Sequence, residues 1–175
     1  MQLETPRLRL CCWREAHRDA LAAMHADPEV MHDYGYMLSR AESDQKFDRY
    51  ALAFQRNGVS RWAVESREGE FLGYTGIMRL PPEHPLGPQM EIGWRLVRRA
   101  WGNGYATEAA QASLEDAFSR VRLNEVLAFT AANNLRSQAV MARLRLQRDP
   151  SCDFTFAAEG RTWHQLVWVA RPLRP

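Results

Sequence analysis

The chain has 175 residues and is 46% hydrophobic and 25% charged, with 10 Gly and 9 Pro. This length and composition are typical of one soluble globular domain, here residues 1–175, and exclude disordered, collagen-like and coiled-coil proteins. Its 23 basic and 21 acidic residues leave a net charge of +2, which is too small to indicate nucleic-acid binding.

The N-terminal third predicts a strand followed by helices. Alternating apolar and polar residues predict an opening strand that ends near Trp13. The spacing of apolar residues then predicts a helix over residues 16–24 and, after a break, a second short helix around residues 30–31. Ser39–Asn57 is predicted to form a longer helix, and Gly58 stands where a C-terminal cap needs a positive φ.

The middle of the chain predicts three strands. Trp62–Glu65, Phe71–Leu80 and Met90–Val97 are rich in β-branched, aromatic and other apolar residues. The charged segment Arg67–Glu70 has the composition of a hairpin turn between the first two strands. A proline-rich loop, Pro81–Pro88, separates the second strand from the third.

The last third alternates helices and strands. From Tyr105 the apolar period becomes helical, and Val126–Ala131 then reads as a compact buried strand. Asn134 is predicted to cap a helix that ends at about Gln147, and Trp163–Ala170 is predicted to be the last strand. This interleaving of strands and helices predicts a layered mixed α/β (α+β) fold with helices packed on the faces of a sheet.

Several kinds of protein and of site have no support in the sequence. No apolar run approaches the roughly 18 residues of a membrane span, and Met1–Leu10 lacks the apolar core of a secretion signal. We therefore expect a cytoplasmic protein without a membrane partner. Cys11, Cys12 and Cys152 lack paired spacing and the histidines form no HExxH motif, so neither a disulfide nor a metal site is predicted.

The most informative segment, residues 91–109, reads as a strand, a glycine loop and a helix. Gly102 and Gly104 allow backbone N–H groups to approach a ligand, and the helix that begins near Gly104 adds partial positive charge. The segment is therefore predicted to hold a phosphate or pyrophosphate. It lacks the lysine of a nucleoside-triphosphate loop, and Thr107 stands where a dinucleotide oxidoreductase would have Gly or Ala.

Residues 99–104 (RAWGNG) resemble the R/Q-x-x-G-x-G/A loop with which the GNAT superfamily of N-acetyltransferases holds the pyrophosphate of acetyl-CoA. The run over residues 91–110 resembles the RimJ/RimL-like branch, which acetylates the amino termini of ribosomal proteins. So do residues 4–8 (ETPRL), 27–31 (DPEVM) and 134–137 (NLRS). The resemblance implies acetyl-CoA as co-substrate and the GNAT fold, a strongly twisted, mixed but mostly antiparallel sheet with helices on both faces.

One element departs from the family pattern. Residues 143–146 (RLRL) stand where the family usually ends a helix with Lys-Leu-Gly-Phe. Because the glycine is missing, the resemblance does not define the path of the chain from Leu146 to Phe156. The phosphate loop is intact, so the expected binding of acetyl-CoA is not affected.

The resemblance also implies which residues bind acetyl-CoA. They are Leu96, Val97, Arg99, Gly102, Asn103, Gly104, Tyr105, Ala106, Asn134 and Ser137. The backbone of Leu96 and Val97 is expected to pair with pantetheine like an added strand. The N–H groups from Arg99 to Ala106 are expected to hold the pyrophosphate.

Two residues are predicted to be catalytic. The acceptor amine must lose a proton, because an α-amino group has a pKa near 8, and Glu91 is predicted to be the base. The alternative is that Glu91 is a solvent-facing or salt-bridged strand residue. Ser137 is predicted to protonate the departing thiolate, and the alternative is a first-turn residue that supports the Asn134 cap.

The resemblance leaves the acceptor open. It implies a primary amine, either a protein amino terminus or a small molecule, and the protein is expected to be a monomer or a homodimer. A non-catalytic acyl-CoA-binding module is the alternative function, although the presence of both Glu91 and Ser137 argues against it. Acceptor contacts are expected from residues 24–37 and from the last strand.

Overall fold

A computed structural model describes residues 1–158 and 161–172, which form one mixed sheet of nine strands with helices. The strands are β1 (Gln2–Glu4), β2 (Leu8–Cys11), β3 (Arg61–Ser66), β4 (Phe71–Arg79), β5 (Met90–Leu96), β6 (Val126–Ala131), β7 (Gln147–Arg148), β8 (Phe154–Ala158) and β9 (Arg161–Ala170). Their order is β1-β2-β3-β4-β5-β6-β9-β7, and β8 also pairs with β9. The β5–β6 pair is parallel and the others are antiparallel, which confirms the predicted mixed, mostly antiparallel sheet.

Four α-helices cover the sheet. They are α1 (Arg18–His25), α2 (Arg40–Asn57), α3 (Tyr105–Ser119) and α4 (Leu135–Arg143). Alternate residues of β5 point to opposite faces. Ile92 packs with Leu114 of α3 and Met141 of α4, whereas Arg95 contacts Asp33, which follows α1. Within the described residues, no helix is long and apolar enough to span a membrane.

Local signals set both ends of α2, and the predicted C-terminal cap at Gly58 is confirmed. The N–H of Glu42 donates to the hydroxyl of Ser39 at 3.3 Å, and the N–H of Ser39 donates to the carboxylate of Glu42 at 2.7 Å. This capping box satisfies two backbone donors that have no partner inside the helix. At the other end, Gly58 adopts the left-handed conformation with φ of 68°.

The predicted short helix around residues 30–31 is wrong, because residues 28–35 form turns instead. The carboxylate of Asp27 accepts hydrogen bonds from the N–H groups of Glu29 at 2.9 Å and Val30 at 3.4 Å. These bonds cap a single turn, in which the N–H of Met31 donates to the carbonyl of Asp27 at 3.0 Å, and this turn does not continue into a helix. This turn segment lies between α1 and α2.

The end of α4 differs from the prediction. The helix ends at Arg143 instead of near Gln147, because Arg145 adopts a left-handed φ of 56°. The N–H of Arg145 donates to the carbonyl of Ala142, and the N–H of Leu146 donates to that of Met141, both at 3.0 Å. This is the Schellman pattern, with Arg145 in the position that usually holds glycine.

The Schellman turn resolves the path that the resemblance left undefined. The chain continues into β7, a 3₁₀ turn at Pro150–Cys152 and then β8, so these two short strands, like β1 at the start of the chain, were missed by the prediction. Both pair with β9, which begins two residues before the predicted Trp163. The predictions of α3 from Tyr105 and of β6 over Val126–Ala131 are confirmed.

We predict that Arg145→Gly raises the free energy of unfolding by about 0.5–1 kcal/mol. The left-handed conformation costs an ordinary residue about 1–2 kcal/mol, part of which is offset by the greater freedom of glycine in the unfolded chain. Arg143→Gly, in the last helical turn, is the matched control and is expected to lower it by about 1 kcal/mol. Chemical denaturation measures both, and an Arg145→Gly variant less stable than wild type would contradict the assigned strain.

Candidate active site

The two parallel strands at the centre of the sheet pair over a short distance. Glu91 of β5 and Leu127 of β6 are the residues that their ladder joins, and each is the second residue of its strand. By contrast, β4 and β5 are paired along their length up to Leu96. The C-terminal ends of β5 and β6 therefore border a gap that closes at Glu91 and opens towards the glycine loop.

The direction of backbone groups along β5 shows which residues face this gap. The N–H of Val97 donates to the carbonyl of Leu72 in β4 at 3.0 Å. Because backbone groups alternate between the two edges of a strand, those of Trp94 and Leu96 point to the gap. The carbonyl of Leu96 also accepts from the indole Nε1 of Trp101 at 2.9 Å. The backbone groups of Val97 are therefore directed to β4, whereas those of Leu96, as expected, and of Trp94, which was not predicted, face the gap.

The glycine loop leaves open space at the start of α3. Gly102 and Gly104 have φ of 78° and 77°, and a Cβ on Gly102 would meet nothing within 4 Å. Gly104 is the N-cap of α3 and provides no side-chain hydrogen bond to its first turn. The N–H groups of Tyr105 and Ala106 are therefore directed away from the helix, where its dipole favours an anion. This geometry fits a pyrophosphate.

Neighbouring side chains hold the backbone of the glycine loop in place through hydrogen bonds and ring contacts. Arg7 forms an ion pair with Glu108 at 2.6 Å, donates to the carbonyl of Asn103 at 2.9 Å and lies 4.8 Å from the ring centroid of Tyr105. The Asn103 amide donates to the carbonyl of Ala100 at 3.3 Å. The side chains of Asn103 and Tyr105 thus shape the loop, which leaves backbone groups to contact a ligand.

Arginine side chains surround Trp101 at the mouth of the gap. The guanidinium groups of Arg98 and Arg136 lie 4.8 and 4.3 Å from the ring of Trp101, and Arg136 comes from the first turn of α4. Arg99 is directed away, since it pairs with Glu70 at 2.6 Å. The predicted contribution of Arg99 therefore rests on its backbone. Trp101 and Arg136 connect the two sides of the gap.

Glu91 is buried and forms an ion pair with Arg61 of β3. The Arg61 side chain reaches β5 by crossing β4 at Gly76, whose carbonyl accepts from it, and it passes over Gly93. A Cβ on Gly93 would lie 2.7 Å from the Arg61 guanidinium, so Gly93 leaves room for this group. Burial raises the pKa of Glu91, and the charge of Arg61 opposes this shift. The contacts of Glu91 are thus those of the salt-bridged alternative. Its partner, Arg61, was not predicted from the sequence.

Asn134 and Ser137 lie on the other side of the gap, directly after β6. The carboxamide Oδ1 of Asn134 accepts from the N–H of Ser137 at 3.2 Å and caps α4, as predicted. Ser137 is half-buried in the first turn of this helix. The tertiary structure therefore places Glu91, in β5, and Ser137, in the helix that follows β6, on opposite sides of one gap. The contact that Ser137 makes there is the cap interaction with Asn134.

A second polar cluster lies between β2, β3 and the turn before α1. Ligand atoms of Cys11, His17 and Glu65 lie within 4.8 Å of one another, a spacing that the sequence analysis did not predict. Arg14 already pairs with Glu65, and His17 Nε2 lies 2.8 Å from the same carboxylate oxygen. Burial and Glu65 raise the pKa of the Cys11 thiol to about 11, so the sulfur keeps its proton. We interpret the cluster as a buried polar network that stabilises the fold.

Comparison with known proteins identifies relatives over most of the chain. YkkB of Bacillus subtilis (strain 168) is 33% identical over 145 residues, which cover 82% of this chain and 83% of YkkB. The FsC-acetyl coenzyme A-N(2)-transacetylase of Aspergillus fumigatus is 33% identical over 147 residues, covering 80% of this chain and 62% of that protein. RimL, a ribosomal L7/L12 alpha-N-protein acetyltransferase solved with coenzyme A, has the same fold, with a TM-score of 0.79, 16% identity and 98% of each chain covered.

A family of acetyltransferases matches the part of the chain that contains the candidate active site. The model of the acetyltransferase (GNAT) domain matches residues 7–147, which include the gap, the glycine loop and α4. GNAT enzymes use acetyl-CoA, and the open glycine loop before α3 fits its pyrophosphate. The chain therefore belongs to the GNAT acetyltransferase family, and it is an acetyl-CoA-dependent acetyltransferase.

Proposed function

We propose that this chain is an N-acetyltransferase of the RimJ/RimL-like kind, in which a primary amine attacks the acetyl thioester directly. The observation that carries the proposal is Glu91, a buried carboxylate with a raised pKa at the closed end of the gap. The acceptor is a protein amino terminus or a small-molecule amine. The name of the Aspergillus relative, an N(2)-transacetylase, supports nitrogen as the acceptor atom.

In this proposal each part of acetyl-CoA has its own contacts. Acetyl-CoA supplies an activated acetyl group as a thioester. The N–H groups of the glycine loop, including those of Tyr105 and Ala106, hold the pyrophosphate. The backbone groups of Trp94 and Leu96 pair with pantetheine like an added strand. From Leu96 back to Glu91 the strand measures about 17 Å at about 3.3 Å per residue, which is the length over which the extended pantetheine lies.

Glu91 and Ser137 move the two protons of the reaction. An α-amino group has a pKa near 8 and is largely protonated at neutral pH, so Glu91 takes a proton from the ammonium, directly or through water. Burial makes Glu91 a stronger base than an exposed carboxylate, and Arg61 keeps it ionised. The neutral amine forms the C–N bond and the C–S bond breaks. The Ser137 hydroxyl donates a proton to the departing thiolate and is reprotonated, directly or through water, by the proton that the attacking nitrogen loses as it becomes the amide.

A thiol-release assay against a panel of amines and amino-terminal peptides tests the proposed function. Release of CoA that depends on the acceptor, together with an N-acetylated product by mass spectrometry, is the expected result. Oxygen acceptors of similar size serve as controls and are expected to be inactive. Binding of acetyl-CoA without turnover of any amine would instead identify the chain as a non-catalytic acyl-CoA-binding module.

The variant Gly104→Ala is expected to weaken CoA binding at least about tenfold. The side chain strains the left-handed φ of 77° and shifts the N–H groups that face the pyrophosphate. Gly58→Ala is the matched control, because Gly58 has φ of 68°, has nothing within 4 Å of a Cβ and caps the distant end of α2. Calorimetry with CoA compares the two folded variants, and unchanged affinity in Gly104→Ala would refute the placement of the cofactor.

Ser137→Ala is expected to lower kcat by about tenfold to a hundredfold while changing acetyl-CoA affinity little, because it removes a proton donor. Its backbone N–H, which donates to Asn134, is retained. Steady-state kinetics and calorimetry separate the two effects. Equal losses in kcat and in affinity would make Ser137 a binding residue only.

The compartment, the oligomeric state and the partners of the enzyme follow from the same proposal. We propose a cytoplasmic enzyme that acts as a monomer or homodimer and needs no metal, nucleic acid or membrane partner. The small net charge of +2 supports the absence of a nucleic-acid partner. Activity that persists after treatment with a chelator is the expected result of a direct test.

A further inference from the structure

Two basic side chains of α2 lie on the face of the sheet to which Glu91 points. Lys46 and Arg49 are three residues apart and therefore share one side of the helix. Tyr50, on the same side, is buried, and its ring lies 5.4 Å from that of Tyr74 in β4. This side of α2 thus faces β4 and β5.

The basic groups on this face differ in their partners. Arg61 pairs with Glu91, and Arg95 forms a bidentate pair with Asp33 at 2.6 and 2.9 Å. The ion pairs of residues 1–158 and 161–172 include neither of the two α2 cations. Four cations therefore share this face with two carboxylates.

The contacts of the two α2 cations are aromatic or neutral. The Lys46 ammonium donates to the hydroxyl of Tyr34 at 3.0 Å and lies 5.0 Å from the centroid of its ring. The Arg49 guanidinium lies 5.6 Å from the ring of Tyr50. Lys46 is half-buried and Arg49 is exposed beside it, and within the described residues neither cation is paired with a carboxylate.

The positive charge on this face acts both on Lys46 and on the candidate base Glu91. Burial lowers the pKa of the Lys46 ammonium, and three guanidinium groups, including that of Arg49, lower it further. Both α2 cations also act on Glu91, where their charges oppose the rise of its pKa. A half-buried ammonium that is repelled by neighbouring cations costs free energy, and such arrangements are concentrated at binding sites.

We propose that Lys46 and Arg49 bind a carboxylate of the acceptor, so that the preferred substrates are primary amines that also carry a carboxylate. This inference rests on the proposed function, because it assigns the acceptor of the same site. The carboxylate completes the charge balance of the face, while the amine lies towards Glu91. Two sources share this chemistry, a free amino acid and a peptide with Asp or Glu next to its terminal residue.

Matched acceptor pairs test the preference. Methionine is compared with methionine amide, and peptides that begin Ala-Asp are compared with peptides that begin Ala-Asn. Rates are expressed per neutral amine, since removing the carboxylate changes the pKa of the amine. We expect kcat/KM to be about 10- to 100-fold higher for the acid of at least one pair, the range for a hydrogen bond to a charged group. The pair that shows the difference identifies the source of the carboxylate.

Substitutions in α2 test whether Lys46 and Arg49 cause the preference for carboxylate acceptors. Lys46→Met and Arg49→Met are each expected to raise KM for the carboxylate acceptor by about tenfold or more, and to lower the ratio of kcat/KM between the carboxylate acceptor and the uncharged one by a similar factor. Arg56→Met is the control, because Arg56 is an exposed cation in the last turn of the same helix. It is expected to change neither value.

The outcomes separate this inference from the function on which it rests. Turnover of acids and amides at equal rates, unchanged by Lys46→Met and Arg49→Met, would overturn the inference and leave the proposed N-acetyltransferase intact. A preference that survives both substitutions would also overturn it. If CoA binds but no amine of either kind is turned over, both proposals are wrong.

Discussion

Replacing Arg61 with methionine is expected to lower the free energy of unfolding by about 3–5 kcal/mol at neutral pH. The substitution leaves the carboxylate of Glu91 buried without the guanidinium that pairs with it, and breaking a buried ion pair from one side has a cost of this size. Methionine retains much of the apolar volume that crosses Gly76, so a cavity contributes little. Urea denaturation measures the loss.

Two controls make this result specific to the buried pair. Arg67→Met removes an exposed partner of Glu4 and is expected to cost far less, because water screens the charges of an exposed pair. The double variant Arg61→Met/Glu91→Leu removes both charges and is expected to recover most of the stability. If Arg61→Met costs no more than Arg67→Met, the pair does not stabilise Glu91 as inferred.

The loss in Arg61→Met should depend on pH in a definite direction. Burial raises the pKa of Glu91 in the folded state, and removing Arg61 takes away the charge that opposes this rise. Above the unfolded pKa of about 4.3, the folded variant then binds more protons than the unfolded chain. Its stability therefore falls as pH rises through this window, and the penalty disappears below about pH 4, where Glu91 is protonated in both states.

Glu91→Gln is expected to lower kcat/KM by about 100-fold near neutral pH, within the range of a lost general base. Glutamine keeps the shape of the side chain and an oxygen that Arg61 can donate to, but it cannot take a proton. The loss should shrink as pH rises, because the amine then arrives already neutral. Measuring both enzymes from about pH 6 to about pH 9.5 brackets the α-amino pKa.

Parallel pH profiles for the two enzymes would remove Glu91 from the mechanism and leave the salt bridge as its role. The free energy of unfolding and the CoA affinity of Glu91→Gln are measured alongside, since a structural glutamate predicts lost stability without a change in the shape of the profile. Ser137→Ala serves as the comparison, because it removes a proton donor rather than the base. Its rate loss is not expected to shrink as the amine deprotonates.

The sequence by itself determined the elements whose stabilising interactions are local. The glycine loop, the start of α3 at Tyr105 and the cap of α4 at Asn134 depend on groups within a few residues of one another. The same holds for the capping box and Gly58 at the ends of α2. Local patterns of this kind predicted the mixed α/β layers and a phosphate-binding loop, whereas the GNAT fold was implied by the resemblance of residues 4–8, 27–31, 91–110 and 134–137 to that family.

Tertiary structure decided the features that depend on distant partners. Arg61 reaches Glu91, 30 residues away, because Gly93 leaves space on the sheet for its guanidinium. Whether Val97 or Trp94 faces the gap depends on which edge of β5 is paired with β4, and this cannot be read from the side chains. Arg145 takes a glycine conformation because the last turn of α4 and the packing of Leu146 in the core outweigh its local cost. In each case the free energy comes from contacts between segments, which residue spacing along the chain does not encode.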